Sequence, residues 1–339
     1  MYVMKVIVDN KIPYIKGVIE ALADEVVFLP GKEFNPETIK DADALIIRTR
    51  TQCDKQLLAG SKVKFIGTAT IGFDHIDTVY CKEAGITWTN CPGCNAGAVE
   101  QYIHSVLALL QTEKGLDLKN TCIGIIGVGH VGERIRHLAG QLGMDILLND
   151  PPRNDKGEEG FSDLHTLEQK CDIITFHTPL ERKGKYSTFH LADEKFFRSL
   201  ERHPYIINTS RGEVIDTKAL LQALNTKRIS GAVIDVWENE PNIDKELLDK
   251  VFIGTPHIAG YSADGKLNAT RMVLEAFCKF FGKPINFHIE LPEKPQAEYN
   301  PDPTIRQIQT YNPHDDCNML KTHIKEFEQL RGNYKLRRE

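Results

Sequence analysis

Residues 127–132 read Gly127-Val128-Gly129-His130-Val131-Gly132, and their surroundings restrict the fold more than any other stretch of the chain. The β-branched, apolar run Thr121-Cys122-Ile123-Gly124-Ile125-Ile126 comes first and predicts a strand. Apolar residues at helical spacing over 131–142 predict a helix, and residues 146–149 predict a second strand that ends at Asp150. A strand that passes through a glycine turn straight into a helix and returns as a strand is a βαβ unit. In such a unit the first glycine permits the tight turn, and the second lets phosphates approach the backbone. The third packs helix on strand, and the helix start offers unpaired N–H groups. Gly127, Gly129, His130, Val131 and Gly132 are therefore expected to cradle a pyrophosphate. An acid at Asp150 binds adenosine ribose hydroxyls and repels a 2′-phosphate, which predicts NAD rather than NADP as cofactor. Arg153, just past Pro151-Pro152, is a nearby cation set against that preference.

The same alternation runs through most of the chain. Residues 5–9, 26–29, 44–47, 65–68 and 86–89 predict strands, and a long helix follows over 96–114. Beyond the glycine motif, 164–170 predicts a helix, 172–176, 205–208, 231–235 and 251–253 predict strands, and 264–281 another long helix. This is the α/β class with parallel sheets. With 339 residues and 41% hydrophobic content, the chain has material for about two domains at roughly 150 residues each. Residues 290–313 are rich in proline and lack a period, which predicts a linker or wrapped arm, and 316–330 predicts a last helix capped by Gly332.

Composition removes several classes of function. The 42 Lys+Arg and 47 Asp+Glu leave a net charge of -5, without the basic excess that nucleic-acid or anionic-membrane binding requires. Apolar runs such as 106–110 fall far short of the roughly 18–20 residues of a membrane span, and the start of the chain leads directly into a strand. A cytoplasmic protein with neither nucleic acid nor membrane as partner is expected. The eight cysteines are scattered, and Cys91-Pro92-Gly93-Cys94 has no second pair or histidines at ligand spacing. No metal is expected, and this segment is read as a Pro-Gly turn ahead of a helix.

Three further strand ends carry a candidate set of catalytic groups. Arg211 follows 205–208 in Thr209-Ser210-Arg211-Gly212, Glu240 follows 231–235 in Trp237-Glu238-Asn239-Glu240-Pro241, and His257 follows 251–253 in Gly254-Thr255-Pro256-His257. Open α/β sheets bind ligands outside the carboxyl ends of their strands, so the three are placed to converge. Oxidation of a 2-hydroxy acid needs a cationic fork for the carboxylate and a base for the hydroxyl proton. Arg211 suits the first role and His257 the second, while Glu240 paired to His257 fixes its tautomer and raises its pKa.

These segments, with His177-Thr178-Pro179-Leu180 and Thr255-Pro256-His257-Ile258-Ala259-Gly260, resemble the D-isomer-specific 2-hydroxyacid dehydrogenases over nearly all of residues 5–282. Narrower traits are Gly67-Thr68-Ala69-Thr70, Asp150-Pro151-Pro152-Arg153, His190-Leu191-Ala192-Asp193, Asp235-Val236-Trp237-Glu238 and the tail Leu330-Arg331-Gly332-Asn333-Tyr334. They point to members that oxidise a phosphorylated four-carbon acid, 4-phosphoerythronate, toward pyridoxal 5′-phosphate. The resemblance implies two Rossmann-like, doubly wound parallel-sheet domains with a cleft between them, plus a short C-terminal dimerisation appendage. Its substrate domain would be 1–95 with 258–288, its NAD domain 96–257, and its dimerisation region 289–339, in a homodimer. It further implies Arg211, Glu240 and His257 as active-site residues. Asp150, Thr178, Thr209, Ser210, Arg211, Asp235 and Gly260 become NAD contacts, and Thr49, Thr70 and Tyr261 substrate contacts. Arg48 and Arg50 flank Thr49 and can supply charge to a carboxylate or phosphoryl group.

The Arg-Glu-His set alone does not separate this activity from that of D-3-phosphoglycerate dehydrogenase, whose substrate is one carbon shorter. A reading of another class is an NAD-sensing corepressor, which resembles this fold and works by recruiting partners. Turnover discriminates it from an enzyme.

Overall fold

In the computed structural model, residues 3–294 and 300–339 are described, and they form two compact units. The first contains residues 3–95, 262–294 and 338–339. Its five strands, β1 (Lys5–Asp9), β2 (Glu25–Leu29), β3 (Ala44–Ile47), β4 (Phe65–Thr68) and β5 (Thr87–Thr89), make a parallel sheet in the order β2-β1-β3-β4-β5. Central strands of such a sheet are covered on both faces, and so β3 and β4 are buried along their whole length without alternation. The helix Ala263–Phe281 covers one face, its start capped by Ser262, whose Oγ accepts Gly265 N–H at 2.8 Å. Val273, Leu274 and Phe277 on that helix pack with Val6, Val8 and Ile46.

Cys91 and Cys94 belong to this core. The Cys91 thiol donates to the carbonyls of Thr68 (3.4 Å) and Ala269 (3.2 Å), and burial pushes both thiols up, Cys94 to about 11. A thiol held protonated in an apolar interior is a poor nucleophile and ligand, so this C-x-x-C is a packed turn.

The second unit contains residues 96–261 and 300–337. Its strands are β6 (Cys122–Ile126), β7 (Asp145–Asn149), β8 (Ile173–Phe176), β9 (Tyr205–Asn208), β10 (Gly231–Ile234) and β11 (Ile253–Gly254), all parallel, in the order β11-β10-β9-β8-β6-β7. The strand order reverses between β6 and β8, and that switch point is where such sheets open a crevice at their carboxyl ends. Helix α1 (Ala96–Lys114) buries Tyr102, Val106 and Leu110 against this sheet, and α2 (His130–Gln141) buries Ile135, Leu138 and Ala139.

The C-terminal part departs from the expected layout. Residues 300–337 belong to the second unit, and residues 258–261 do as well. Within the proline-rich stretch, Asp302 and Pro303 start a helix, α3 (Pro303–Thr310): the Asp302 carboxylate caps Thr304 N–H at 2.8 Å, and proline suits the first helical position. Residues 295–299 of the expected arm lie outside the described residues. The helix predicted over 316–330 starts earlier, at an Asn312 cap, and is cut by His323 (φ -127, ψ 43) into α4 (Pro313–Thr322), a 3₁₀ turn and α5 (Phe327–Gly332).

Polar anchors explain the docking. Ser105 Oγ on α1 donates to the Tyr311 carbonyl at 2.7 Å, and Gly254 N–H of β11 donates to Cys317 Sγ at 3.2 Å. Arg337 donates to the carbonyls of Ala98 (3.1 Å), Ile258 (3.1 Å) and Ala259 (2.6 Å), with its guanidinium 4.1 Å from the Tyr311 ring centroid. Among the described residues no helix is long and apolar enough to cross a membrane, and no group of three or more His, Cys, Asp or Glu is placed to hold a metal ion.

Candidate active site

The glycine turn sits at the switch point, on the carboxyl end of β6. Gly127 has φ +85, and a side chain there would meet the His177 carbonyl oxygen at 2.7 Å. At Gly132 a Cβ would lie 2.1 Å from the Gly127 carbonyl oxygen, so α2 reaches β6 only with glycine at that position. Gly129, by contrast, faces open space and caps α2 without any side-chain hydrogen bond. The first N–H groups of α2 and the positive end of its dipole are thus available to an anion.

Beside the turn lies a cavity of about 720 Å³ lined by Gly127, Asp150, Pro151, Thr178, Lys185 and Leu191 among others. Asp150 Oδ2 accepts Val128 N–H at 2.9 Å, which ties the acid to the glycine turn, and Oδ1 accepts Arg153 N–H at 3.1 Å. Arg153 itself is taken up: its guanidinium pairs with Glu133 and Glu158 and donates to the Val128 carbonyl at 2.6 Å. The cation set against NAD is therefore neutralised by its own neighbours. Thr178 Oγ1 is buried in the wall of this cavity and has no hydrogen-bond partner among the described residues. A buried hydroxyl without a partner is a group that a ligand satisfies. The unblocked helix start, the acid at the end of β7 and this hydroxyl all fit a dinucleotide.

The three catalytic candidates do converge. β9, β10 and β11 are in register (Asn208 with Ile234, Ile234 with Gly254), so the loops after them leave the same edge. Arg211, Glu240 and His257 line one crevice of about 270 Å³ together with Gly212, Glu213, Trp237 and Asn239. His257 Nδ1 lies 2.8 Å from Glu240 Oε2, and Glu240 Oε1 accepts Trp237 N–H at 3.0 Å. Burial raises the Glu240 pKa, but the hydrogen bond and charge of His257, with the Trp237 N–H, outweigh it and hold the carboxyl below its usual range. Arg211 is set by a rigid turn: Asn208 Oδ1 accepts Ser210 N–H (3.0 Å) and Oγ (2.8 Å), and Asn208 Nδ2 donates to the Arg211 carbonyl at 2.9 Å.

Other expected site residues have structural partners. Asp235 is buried; its Oδ1 accepts from Thr255 Oγ1 (2.6 Å) and Ile258 N–H (2.8 Å), and its Oδ2 accepts Ala259 N–H at 3.0 Å. The acid holds the loop that carries His257 and Gly260. Thr209 Oγ1 lies 3.4 Å from Nδ1 of His177, whose pKa desolvation pushes down to about 3, so that ring is neutral. Thr49, Thr70 and Arg48 lie on the first unit, at the carboxyl ends of β3 and β4. Thr70 Oγ1 donates to the Gly72 carbonyl (2.9 Å), and Arg48 Nε pairs with buried Asp9 at 3.2 Å.

Comparison with known proteins agrees with this geometry. Residues 99–259 match the D-isomer specific 2-hydroxyacid dehydrogenase NAD binding domain. An erythronate-4-phosphate dehydrogenase of Bacteroides fragilis is 60% identical over 99% of this chain and 97% of its own, and one of Shigella flexneri is 44% identical over 99% and 92%. The chain belongs to the erythronate-4-phosphate dehydrogenase branch of the D-isomer specific 2-hydroxyacid dehydrogenases. Solved members of the wider family share the fold. An NAD+-bound 3-phosphoglycerate dehydrogenase of Entamoeba histolytica has a TM-score of 0.69 at 28% identity, covering 83% of this chain and 96% of its own. A D-lactate dehydrogenase of Aquifex aeolicus with NAD and lactic acid has 0.67 at 25%, covering 82% and 96%. As a family member, the chain is an NAD-dependent D-2-hydroxyacid dehydrogenase acting on a small hydroxy acid.

The sequence reading of this dehydrogenase missed one group beside the catalytic set, Arg331 on α5, whose Nη1 lies 4.0 Å from Glu240 Oε2. The Leu330–Tyr334 segment stands out in the sequence, but nothing in it reveals that a tail arginine reaches Glu240.

Proposed function

We propose that this chain oxidises 4-phospho-D-erythronate to (R)-3-hydroxy-2-oxo-4-phosphobutanoate in pyridoxal 5′-phosphate synthesis, in the cytoplasm and as a homodimer. The observation that carries the reaction type is the 2.8 Å contact between His257 Nδ1 and Glu240 Oε2. A carboxylate at Nδ1 keeps the proton on that nitrogen and leaves Nε2 as the base for the substrate hydroxyl. The substrate itself is proposed from the relatives that match along the whole chain.

In this reading the Arg211 guanidinium grips the substrate carboxylate with two parallel hydrogen bonds and polarises the oxygen at C2 as it becomes a carbonyl. His257 takes the hydroxyl proton, and Glu240 stabilises the imidazolium that results. NAD, when bound, supplies the acceptor for the C2 hydride. Gly127, Gly129, His130, Val131 and Gly132 hold its pyrophosphate, Asp150 its adenosine ribose, and Thr178, Thr209, Ser210 and Gly260 the remainder, with Asp235 fixing the loop around Gly260. Thr49, Thr70, Tyr261 and Arg48 contact the substrate. The net charge of -5 supports a protein with no nucleic-acid partner.

The test is NADH absorbance with 4-phosphoerythronate and D-3-phosphoglycerate offered separately, each with and without a 2-oxo acid as acceptor for tightly held NADH. Turnover on the four-carbon acid with little on the three-carbon one is expected. The reverse preference overturns the substrate, and bound NAD without turnover of either overturns the assigned reaction.

A further inference from the structure

Glu240 Oε2 faces two basic side chains. His257 Nδ1 is 2.8 Å away, and on the same oxygen Arg331 Nη1 approaches to 4.0 Å, within ion-pair reach but beyond a hydrogen bond. Arg331 comes from α5, outside residues 99–259, and Phe327 and Leu330 of that helix pack with Trp237 and Leu320 in the core of the second unit. Its Nε is buried without a hydrogen-bond partner among the described residues, and its guanidinium stands 6.0 Å from the Tyr261 ring centroid. An incompletely hydrogen-bonded guanidinium is costly to bury, so a fold that buries one is compensated by charge. Its acidic neighbours are Glu240 and, at 3.9 Å, Glu328 on its own helix.

We propose that Arg331 is a positioning residue for proton transfer: its charge beside Glu240 Oε2 keeps that carboxyl ionised and lowers the proton affinity of the Glu240–His257 pair. The inference rests on the reading of His257 as the base. A carboxylate at Nδ1 by itself makes an imidazole more basic, and an overly basic His257 would stay protonated at neutral pH and accept nothing. A cation beside the same carboxylate oxygen offsets that effect without touching the ring. Other charged or titratable groups around the pair are Arg211 and Glu213 in the crevice, Asp235 beneath the His257 loop, and Tyr261 and Glu328 beside Arg331. Of these, Tyr261 and Glu328 themselves face Arg331 and lose that neighbour in a variant without the charge, and R331K, which keeps it, separates the charge from the packing.

The experiment is an NMR titration of the His257 ring in full-length, ring-labelled protein, with H257Q assigning the signal, run on wild type, R331M and R331K. A pH profile of kcat/KM accompanies it on whichever hydroxy acid the protein turns over. R331M is expected to raise the His257 pKa by about one unit and to move the acid limb of the profile upward equally, losing roughly tenfold in rate on the acid limb and about two- to threefold at neutral pH, and recovering at high pH. R331K restores the charge, so its titration should return to within a few tenths of a unit of wild type. An unchanged His257 titration in R331M overturns the proposal, as does an R331K curve that follows R331M. If R331M does not fold, the same comparison is made with R331Q. Failure of the underlying reading looks different: H257Q would then retain the acid limb, whatever happens at position 331.

Discussion

The two sheets share a strand order but not a chemistry. Counted from the switch point, β2-β1-β3-β4-β5 in the first unit repeats as β7-β6-β8-β9-β10 in the second. After β6 the chain turns at Gly127 and enters α2, leaving open N–H groups at the carboxyl end of the sheet. At the end of β1 the chain holds Asp9, a fully buried carboxylate that accepts Lys11 N–H at 2.8 Å and pairs with Arg48. The chain that follows has only the 3₁₀ turn Ile19–Ala21 before β2. A phosphate would meet helix N–H groups at one edge and a carboxylate at the other. Topology provides a crevice in both units, and the residues after the first strand decide what each accepts.

The largest expected effect isolates chemistry from binding within the second unit. His257→Gln keeps ring-like size and polarity but has no basic nitrogen, so kcat should fall about 1000-fold while the NAD Kd stays within about twofold. Stopped-flow NADH formation and NAD titration measure the two separately. A parallel loss of NAD affinity would show that His257 belongs to the cofactor cleft rather than to the proton path.

Next in size is a contrast between glycines of the two units. Gly132→Ala forces a Cβ to within 2.1 Å of the Gly127 carbonyl oxygen, so helix and turn must separate, and NAD affinity should drop about 100-fold. Gly17→Ala in the first unit meets nothing within 4 Å and carries only the strain of φ +83, about 1 kcal/mol of stability. Calorimetric NAD titration of both variants, beside their melting temperatures, tests whether phosphate binding is confined to the second sheet. Arg211→Lys should follow, with about 30-fold lower kcat/KM, because an ammonium cannot make the paired contacts of a guanidinium. Near-normal kcat/KM would remove the carboxylate role from Arg211.

How far the sequence carried these conclusions varied with the kind of information required. Buried parallel strands are short apolar runs, and Ala44–Ile47, Phe65–Thr68 and Tyr205–Asn208 were legible for that reason. The glycine motif was legible because each glycine answers a steric demand, and Arg211, Glu240 and His257 because each follows a strand at one edge. Asp235 shows what spacing leaves out. Its residue type and its position after β10 suit a ligand contact, and both oxygens also accept hydrogen bonds from the loop at 255–259, a fact of three-dimensional pairing that spacing does not encode. The helix Pro303–Thr310 was hidden for a different reason: its Asp-Pro start signal sits among prolines that read as a breaker-rich arm. Arg331 reaches Glu240 through tertiary packing of a six-residue helix, which no local pattern announces.

The smallest expected effect concerns an acid of the first unit whose charge is spent on architecture. Asp264 opens the helix Ala263–Phe281 and receives Arg338 Nε at 2.8 Å, Arg338 Nη2 at 3.0 Å and Glu339 N–H at 3.0 Å. Partial burial works against its charged form, yet the Arg338 and Glu339 hydrogen bonds prevail and hold its pKa below the ordinary carboxylate value. A carboxyl whose folded pKa lies below its unfolded value contributes stability that is complete above the unfolded pKa, near 3.9, and disappears as pH falls through the folded value. Asp264→Asn should therefore cost about 1 kcal/mol at pH 7, and the difference from wild type should shrink as pH falls below the unfolded value. Denaturant melts at pH 7, 5 and 3 check the sign. A deficit as large at pH 3 as at pH 7 would mean that the asparagine disturbs the helix start itself rather than removing a charge. NAD affinity should be unchanged in this variant, because the acid it alters serves the sheet that lacks the glycine turn.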